Sequence, residues 1–170
     1  MNKRGFTIVE LLVVLAVMGI LLTLGVANIS GTQINARDAK RKIDIDTIAA
    51  YLNDYYKNGT DGSTAVGEYQ STVLTTSGIP YTVQILRGIE TKTLTAPSAT
   101  SVTTSFIPAT NNTQTTAGVT PQPTISQYVY QPLQSDGVLC TLEAQECRKF
   151  NLFYRLETDN TVNMLTSKNQ

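Results

Sequence analysis

A long apolar run near the N-terminus constrains this chain more than any other feature. Between Phe6 and Ile29 lie 24 residues with a single charged side chain, Glu10. As a helix this run would be about 36 Å long, at about 1.5 Å per residue, enough to cross a hydrocarbon core of about 30 Å. The run therefore predicts a helix suited to lipid or to the core of an assembly.

Three interpretations compete for residues 1–29. A cleaved secretory signal would explain the basic Lys3 and Arg4, but the apolar run exceeds the usual length of about 7–15 residues and no A-x-A site follows it. A plain membrane anchor is the second interpretation. The third is a cut directly after Gly5, which would leave the whole apolar helix on the mature chain.

Glu10 requires a physical explanation, because a carboxylate in mid-bilayer costs about 2.5–3.5 kcal/mol on insertion scales. It is either a charge tolerated near the helix end or the partner of a new amine. A cut after Gly5 would create a positive amine on Phe6, four residues before Glu10. Pairing of that amine with Glu10 of a neighbouring copy, rather than of the same chain, would set the axial register of packed helices.

The composition argues against an enzyme. The chain has 13 basic and 13 acidic residues and no histidine. Without histidine there is no Ser-His triad, no histidine general base and no histidine-ligated metal. The net charge of zero also argues against a generally basic nucleic-acid binder.

The segment after the apolar run predicts a continuation of the same helix. No proline interrupts Thr32 to Lys57. Apolar residues recur there every three or four positions, at Ile45, Ile48, Ala49, Leu52 and Tyr55 or Tyr56. We expect one helix from about Thr7 to Lys57, amphipathic in its second half and ended by Asn58-Gly59 and Asp61-Gly62.

Short strand-like runs separated by turn residues follow Gly62. The predicted strands are Tyr69–Leu74, Tyr81–Arg87, Ser101–Ile107, Ile125–Tyr130, Phe150–Glu157 and Thr161–Leu165. The clearest is Phe150–Glu157, whose apolar residues alternate onto one face. An antiparallel sheet packed on the long helix would make this an α+β protein.

A basic cluster, Arg37, Lys40, Arg41 and Lys42, follows the apolar run. It fits a solvated helix face with ion pairs, or a contact with an acidic patch of a neighbouring copy or with phosphates of lipid or DNA. Lys and Arg residues that flank a membrane helix tend to stay on the cytoplasmic side. By that rule these residues favour a cytoplasmic location for the part of the chain that follows them.

Thr93 to Ser135 form 43 residues without a charge, and residues 91–126 hold 16 Ser or Thr. This region fits an exposed Thr-rich β region or long loop, or else an O-glycosylated or adhesive surface.

The two cysteines, Cys140 and Cys147, enclose six residues. A metal site would need further ligands, so the alternatives are free buried cysteines or, outside the cytoplasm, a disulfide. The acids Asp54, Asp61, Glu143, Glu146 and Asp159 do not form a D-x-D-x-D-G loop, so the sequence supports neither a metal nor a cofactor.

The ordered residues Lys3-Arg4-Gly5-Phe6-Thr7-Ile8-Val9-Glu10-Leu11-Leu12-Val13-Val14 resemble the class III signal of type IV pilins and type II secretion pseudopilins. The resemblance covers about the first 30 residues, and beyond Lys57 it is architectural only. Ala27 stands where the family often has a proline, which leaves Gly19 and Gly25 as weak points of the helix.

The resemblance implies cleavage between Gly5 and Phe6 by a prepilin peptidase, methylation of Phe6, and assembly into a helical filament. Glu10 falls on the glutamate that neutralises the N-terminus of an adjacent subunit in this family. Cys140 and Cys147 resemble the C-terminal disulfide loop of many type IV pilins.

The domain organisation implied is a leader of residues 1–5, a transmembrane or filament-core helix of 6–30, an amphipathic continuation of 31–58, and a β-rich head of 59–170. The protein would be a non-enzymatic pilus subunit serving adhesion, twitching motility or DNA uptake. It would first reside in the cytoplasmic membrane with its head outside, because the signal outweighs the charge count, and then in the extracellular pilus.

Its expected partners are further copies of itself, the prepilin peptidase, the pilus assembly machinery and minor pilins. Contact with DNA or a surface ligand has no support in the sequence. The alternatives are a secretion pseudopilin, a minor tip pilin acting as an adhesin, or an anchored enzyme that uses the same targeting signal.

Overall fold

The computed structural model describes residues 5–27, 29–59 and 66–169, and residues 1–4, including Lys3 and Arg4, lie outside that description. The chain divides into two compact units, Met1–Ala36 and Arg37–Gln170, called here the N-terminal and C-terminal units. Two helices, α1 (Ile8–Ala27) and α2 (Ile29–Asn58), occupy the predicted helical region. The prediction of a long N-terminal helix is therefore confirmed.

The end of α2 follows from its sequence. Gly59 has φ of 61°, a left-handed conformation that favours glycine, and its N–H bonds the carbonyl of Tyr55 at 2.7 Å. The helix therefore ends at Asn58, while the second predicted stop, Asp61-Gly62, lies outside the described residues.

Two short helices and a sheet complete the C-terminal unit. They are α3 (Val73–Thr76), α4 (Ile79–Ile85), a 3₁₀ turn (Val102–Thr104), β1 (Phe106–Pro108), β2 (Tyr128–Leu133), β3 (Lys149–Arg155) and β4 (Val162–Thr166). The sheet order is β1-β2-β3-β4, and β2, β3 and β4 pair antiparallel. The α+β class is confirmed.

One pairing differs from the predicted antiparallel sheet. β1 runs parallel to β2, with Phe106 opposite Tyr128. Parallel neighbours need a long crossover connection, and the Thr-rich residues 109–127 supply it.

Two predicted strands are wrong. Tyr69–Leu74 contributes a single bridge from Tyr69 to Cys147 before α3 begins, and Tyr81–Arg87 lies largely in α4. Pro80 lies in the first turn of α4, where its missing N–H leaves no helical bond unmade. Both segments are only six or seven residues long and mix apolar with polar residues, so spacing alone does not separate strand from helix in them.

The remaining predicted strands are found with shifted ends. Phe150–Glu157 corresponds to β3 and Thr161–Leu165 to β4, whereas Ile125–Tyr130 begins too early for β2. Ser101–Ile107 splits into the 3₁₀ turn and β1.

The main core lies between α2 and one face of the sheet. The predicted stripe of α2 is buried there against sheet residues such as Tyr128, Tyr130, Phe150 and Leu152. The Thr-rich segment covers the opposite face, where Ala109 and Val119 are buried with Val129 and Phe153. This segment is therefore a long loop that closes a second, smaller core.

Candidate processing and assembly site

The first turn of α1 is closed by a reciprocal cap between Thr7 and Glu10. Glu10 N–H donates to Thr7 Oγ1 at 3.3 Å, and Glu10 Oε2 accepts from the Thr7 N–H and hydroxyl, both at 3.0 Å. This is the capping box of an S/T-x-x-E sequence, in which two helix-end donors are satisfied at once. Glu10 is thereby held at the start of the helix.

The sequence interpretation assigned no role to Thr7. The signal was present, because Thr7-Ile8-Val9-Glu10 matches the capping-box pattern immediately before an apolar run. In the structure α1 begins at Ile8, one residue after the predicted start at about Thr7.

The peptide bond between Gly5 and Phe6 lies in non-helical backbone just before the cap. Phe6 is 85% exposed, and a Cβ built on Gly5 would meet nothing within 4 Å. The bond therefore lies in exposed, non-helical backbone outside the capped helix.

The large apolar side chains that the structure describes in α1, within residues 8–22, are exposed on every face of the helix. They are Ile8, Val9, Leu11, Leu12, Val13, Val14, Leu15, Val17, Met18, Ile20, Leu21 and Leu22. An apolar surface of this extent is characteristic of a segment that is covered by a partner or by lipid. Across residues 5–27, 29–59 and 66–169, however, no helix combines the length and apolarity required of a membrane span.

The cysteine loop, residues 140–147, is closed by a disulfide between Cys140 and Cys147, whose Cα atoms are 6.0 Å apart. Both cysteines are fully buried. The loop is fastened by two backbone bonds, from Tyr69 N–H to the Cys147 carbonyl at 2.8 Å and from Thr72 N–H to the Cys140 carbonyl at 3.0 Å. It is a firmly anchored projection of the C-terminal unit.

The basic cluster is not simply a solvated helix face. Arg41 is completely buried, and its guanidinium donates to Asp38 Oδ1 at 2.7 Å and to the Ile125 carbonyl at 3.0 Å. Arg37 forms a two-point ion pair with Glu157, at 2.8 and 2.6 Å. The cluster joins α2 to the turn after β3.

Asp38, which pairs with Arg41 of the basic cluster, accepts hydrogen bonds from several donors. Burial raises its pKa, but donors from the Glu157 N–H, the Thr158 hydroxyl and N–H, and Arg41 outweigh that effect and lower the pKa to about 2. Asp44 is also buried, and it accepts from Lys40 Nζ at 2.6 Å and from the Tyr128 hydroxyl at 2.9 Å. Burial raises the pKa of Asp44, with Lys40 and Tyr128 opposing that effect.

The acids considered as metal ligands are used in local contacts. Glu143 accepts from the Tyr81 hydroxyl at 2.8 Å, and Glu146 pairs with Arg148 at 2.9 Å. Asp159 accepts from the Thr161 N–H and hydroxyl, and Asp54 accepts from Asn58. Asp61 lies outside the described residues.

The comparison with protein families identifies the N-terminal segment. Residues 1–26 match the family model described as the prokaryotic N-terminal methylation motif. This is the class III signal of type IV pilins and pseudopilins. The resemblance that the sequence predicted is thus confirmed for these residues.

The motif implies processing by a prepilin peptidase and assembly into pilus-like filaments. It is typical of membrane-anchored proteins that later become extracellular, and of a structural rather than enzymatic class. No curated protein and no solved structure matches the chain significantly.

Proposed function

We propose that this protein is a structural subunit of an extracellular type IV pilus-like filament, assembled through packing of its N-terminal helix. The observation that carries the proposal is the methylation motif on a helix whose apolar side chains are exposed on every face. Lipid would cover this surface before assembly, and packing such helices against one another would keep it out of water in the extracellular filament.

In the first step of this proposal, a prepilin peptidase hydrolyses the bond between Gly5 and Phe6, and the new amine on Phe6 is methylated. The exposed, non-helical backbone before Thr7 favours this cut. Because the capping box begins at Thr7, the cut leaves the helix and its cap intact on the mature chain.

In the second step, Glu10 pairs with the Phe6 amine of a neighbouring subunit. Within its own chain the carboxylate accepts from Thr7 through Oε2, and a carboxylate has about four acceptor sites. It can therefore also accept from the Phe6 amine of a neighbour without losing its cap. Pairing of this kind would also cancel both charges in an apolar surrounding.

The proposed organisation is a leader of residues 1–5, a membrane or filament-core helix of 6–30, an amphipathic continuation of 31–58 and a head of 59–170. The chain would be a single-pass protein of the cytoplasmic membrane before assembly and a pilus component afterwards. Its partners would be other copies of itself, the prepilin peptidase, the assembly machinery and minor pilins.

A pilin is favoured over a secretion pseudopilin by the cysteine loop and by the uncharged region of Thr93 to Ser135. A filament of this kind serves adhesion, twitching motility or DNA uptake. A tip-located adhesin would share these features and would differ in being rare in sheared filaments.

Mass spectrometry of the mature protein, with microscopy of sheared surface material, tests the proposal. We expect a chain that begins at Phe6, carries one added methyl group on its amine and is abundant in filaments. A mature chain that retains its starting methionine and stays single in the membrane would overturn the proposal.

Glu10→Ala tests the pairing step. Processing at Gly5 should continue, whereas filament yield should fall strongly because the neighbouring amine loses its partner. Thr7→Ala is the matched control, since it removes the cap and keeps the carboxylate. Normal filament yield from Glu10→Ala would contradict the pairing.

Gly5→Leu tests the cleavage site. A bulky side chain next to the scissile bond should leave unprocessed protein in the membrane and no filaments. Efficient processing of this variant would mean that the cut lies elsewhere.

A further inference from the structure

The sheet of the C-terminal unit ends in two different edges. β1, at one end, is three residues long and closes with Pro108, which has no N–H to donate. β4, at the other end, is five residues long, Val162–Thr166, and contains neither a proline nor a charged side chain. Proline, charge and very short length are the usual features that keep a sheet edge from pairing with another chain, so β4 is the unprotected edge.

The backbone of β4 presents unpaired groups on that edge. The Ser167 N–H, directly after the strand, donates to the Phe150 carbonyl at 2.9 Å. In an antiparallel pair, alternate residues direct both of their backbone groups toward the same neighbour. The odd-numbered residues therefore bond β3, whereas Val162, Met164 and Thr166 direct their N–H and C=O groups to the other side, where no described residue bonds them.

A groove of about 280 Å³ runs beside this edge, between α2 and β4. Its lining includes Ala49 and Ala50 of α2 and Leu165 and Thr166 of β4. Leu165 faces α2, because its cross-strand partner Leu152 belongs to the core beneath that helix. Thr166, the next residue, projects to the opposite face of the sheet. A groove that is lined by both residues and by α2 therefore reaches the free edge of β4.

The lining of the groove also holds one acid and one base, Asp46 and Lys168. Both residues are exposed, and within the described part of the chain neither forms a hydrogen bond or an ion pair. Lys42, one turn before Asp46 on α2, does not line the groove and does not pair with Asp46. Both charges of the groove are thus available to groups from outside.

The two charges lie at opposite ends of the groove. The Tyr69 hydroxyl donates to Asn53 Oδ1 at 2.8 Å and accepts from Asn169 Nδ2 at 3.1 Å. Lys168, which precedes Asn169, therefore lies near the level of Asn53. Asp46 precedes Asn53 by two helical turns, about 10 Å along α2. An extended chain covers that distance with about three residues, at about 3.4 Å each.

We propose that the free edge of β4 binds an extended peptide segment of a partner protein as an added antiparallel strand, with an apolar side chain of the segment in the groove. The outward N–H and C=O groups of Val162, Met164 and Thr166 bond the backbone of the segment. Because β4 runs toward Lys168, an acid two positions before the apolar residue faces Lys168 and a base two positions after it faces Asp46.

A second copy of this chain fits the site less well than a separate segment. Its own β4 has the outward backbone groups, but none of its residues carries a charge for Asp46 or Lys168. A small molecule in the groove would leave the row of backbone groups unpaired. The site belongs to the C-terminal unit alone, so it does not rest on the proposed filament function.

Hydrogen exchange of the full-length chain in detergent, followed by NMR, tests the site. In the free chain the amides of Val162, Met164 and Thr166 should exchange at least about tenfold faster than those of Asn163 and Leu165, which bond β3. The probe is an acetylated, amidated peptide, Thr-Glu-Thr-Val-Thr-Lys-Thr, with leucine and phenylalanine versions at the central position. Saturation with the probe should slow exchange of the three outward amides at least about tenfold.

Two N-methylated versions of the probe form a matched pair. In an antiparallel pair, the probe residues whose side chains point away from the groove direct their N–H groups toward β4. Methylation of the two threonine amides beside the central residue should therefore abolish the protection, whereas methylation of the central amide should keep it within about twofold. A probe with its glutamate and lysine exchanged should bind several-fold more weakly.

Ala50→Phe tests the groove from the side of the protein. The larger side chain fills the groove from an exposed position of α2, so probe binding should weaken at least about tenfold. Ala39→Phe is the matched control, because it makes the same change at an exposed alanine of α2 outside the groove, and it should bind the probe like the wild type. Equal urea midpoints of the two variants show that both are folded.

Four results would overturn the proposal. One is slow exchange of the outward amides in the free chain at low concentration, and another is no protection by any of the three probes. A third is equal binding of the two methylated probes, or of the probe with exchanged charges. The fourth is protection that arises without a probe as the protein concentration rises, which would assign the edge to a second copy of the chain.

Discussion

The two units of this protein treat their apolar side chains in opposite ways. In the C-terminal unit, α2 buries a complete stripe against the sheet, and the Thr-rich loop covers the other face of the sheet. In the N-terminal unit, the described side chains of α1 are exposed on every face. The C-terminal unit is therefore stabilised by its own core, while α1 requires surroundings that the unit does not supply.

The charged groups show the same contrast. Glu10 is bonded to a residue three positions away, so its cap depends only on local sequence. Asp38 is bonded to Glu157 and Thr158, more than a hundred positions away. The cap should thus survive any change in the C-terminal unit, whereas the Asp38 contacts exist only when that unit is folded.

The tyrosine signal makes the contrast measurable. All eight tyrosines lie in the C-terminal unit, and the chain has no tryptophan. Near-ultraviolet circular dichroism of the full chain in detergent therefore reports the unfolding of that unit alone.

The largest expected effect is that of Arg41→Leu. Removal of this buried cation takes an ion-pair partner from Asp38, while Glu157 keeps Arg37, and breaking a buried ion pair costs about 3–5 kcal/mol. Urea unfolding followed by the tyrosine signal should show that loss. Lys42→Leu is the control, and as an exposed change it should stay within about 0.5 kcal/mol.

Matched leucine substitutions test the contrast directly. Leu52→Ala should lower the free energy of unfolding of the C-terminal unit by about 2–5 kcal/mol, because Leu52 is fully buried. Leu15→Ala, in the exposed surface of α1, should leave it unchanged to within about 0.5 kcal/mol. Equal losses from the two variants would mean that the units are not independent.

Reduction of the disulfide should have a moderate effect. The Cys140→Ser/Cys147→Ser variant should lose about 2–3 kcal/mol of stability, because the short loop is no longer closed in the unfolded chain. Unfolding of the wild type with and without reductant provides the same comparison without substitution. Unfolding midpoints that stay unchanged in both experiments would contradict this expectation.

The pKa of Asp38 predicts a loss of stability in acid. Its folded-state pKa of about 2 lies below its usual 3.8, so its contribution is complete above about pH 4 and is lost as pH falls toward 2. That contribution is about 2 kcal/mol. Urea unfolding midpoints measured between pH 5 and 2 should fall less steeply with decreasing pH for Asp38→Asn than for the wild type. Asp54→Asn, which changes a half-exposed carboxylate, is the control and should follow the wild type.

The smallest effect is expected from Thr7→Ala. Loss of the threonine hydroxyl leaves the Glu10 N–H without its acceptor, so hydrogen exchange at Glu10 should accelerate several-fold. The unfolding of the C-terminal unit should not change. An effect on its midpoint would show that the cap is coupled to the distant unit.

Local patterns were enough for one part of the structure. The apolar run, the stripe of α2 and the alternation in Phe150–Arg155 depend on neighbours within a few residues, so periodicity predicts them. The cap between Thr7 and Glu10 is equally local, although the sequence analysis did not predict it. The methylation motif is also local, because consecutive residues near the N-terminus carry it.

Other features could not be predicted because their causes are distant in sequence. The segment Tyr81–Arg87 is rich in strand-forming residues, yet it is helical after Gly78, whose φ is 89°. Arg41 looked like a surface cation because three of its partners, Ser98, Ile125 and Glu157, follow it by 57, 84 and 116 positions. The parallel pairing of β1 likewise depends on the path of a long loop.

From its sequence alone this protein has an apolar, capped helix with a processing signal and a second helix with one face to bury. These follow from backbone hydrogen bonding and side-chain spacing, which act over a few residues. Only the tertiary structure decides which charges are buried and which face of the sheet the Thr-rich loop covers. Those outcomes depend on which distant residues meet, and no local spacing contains that information.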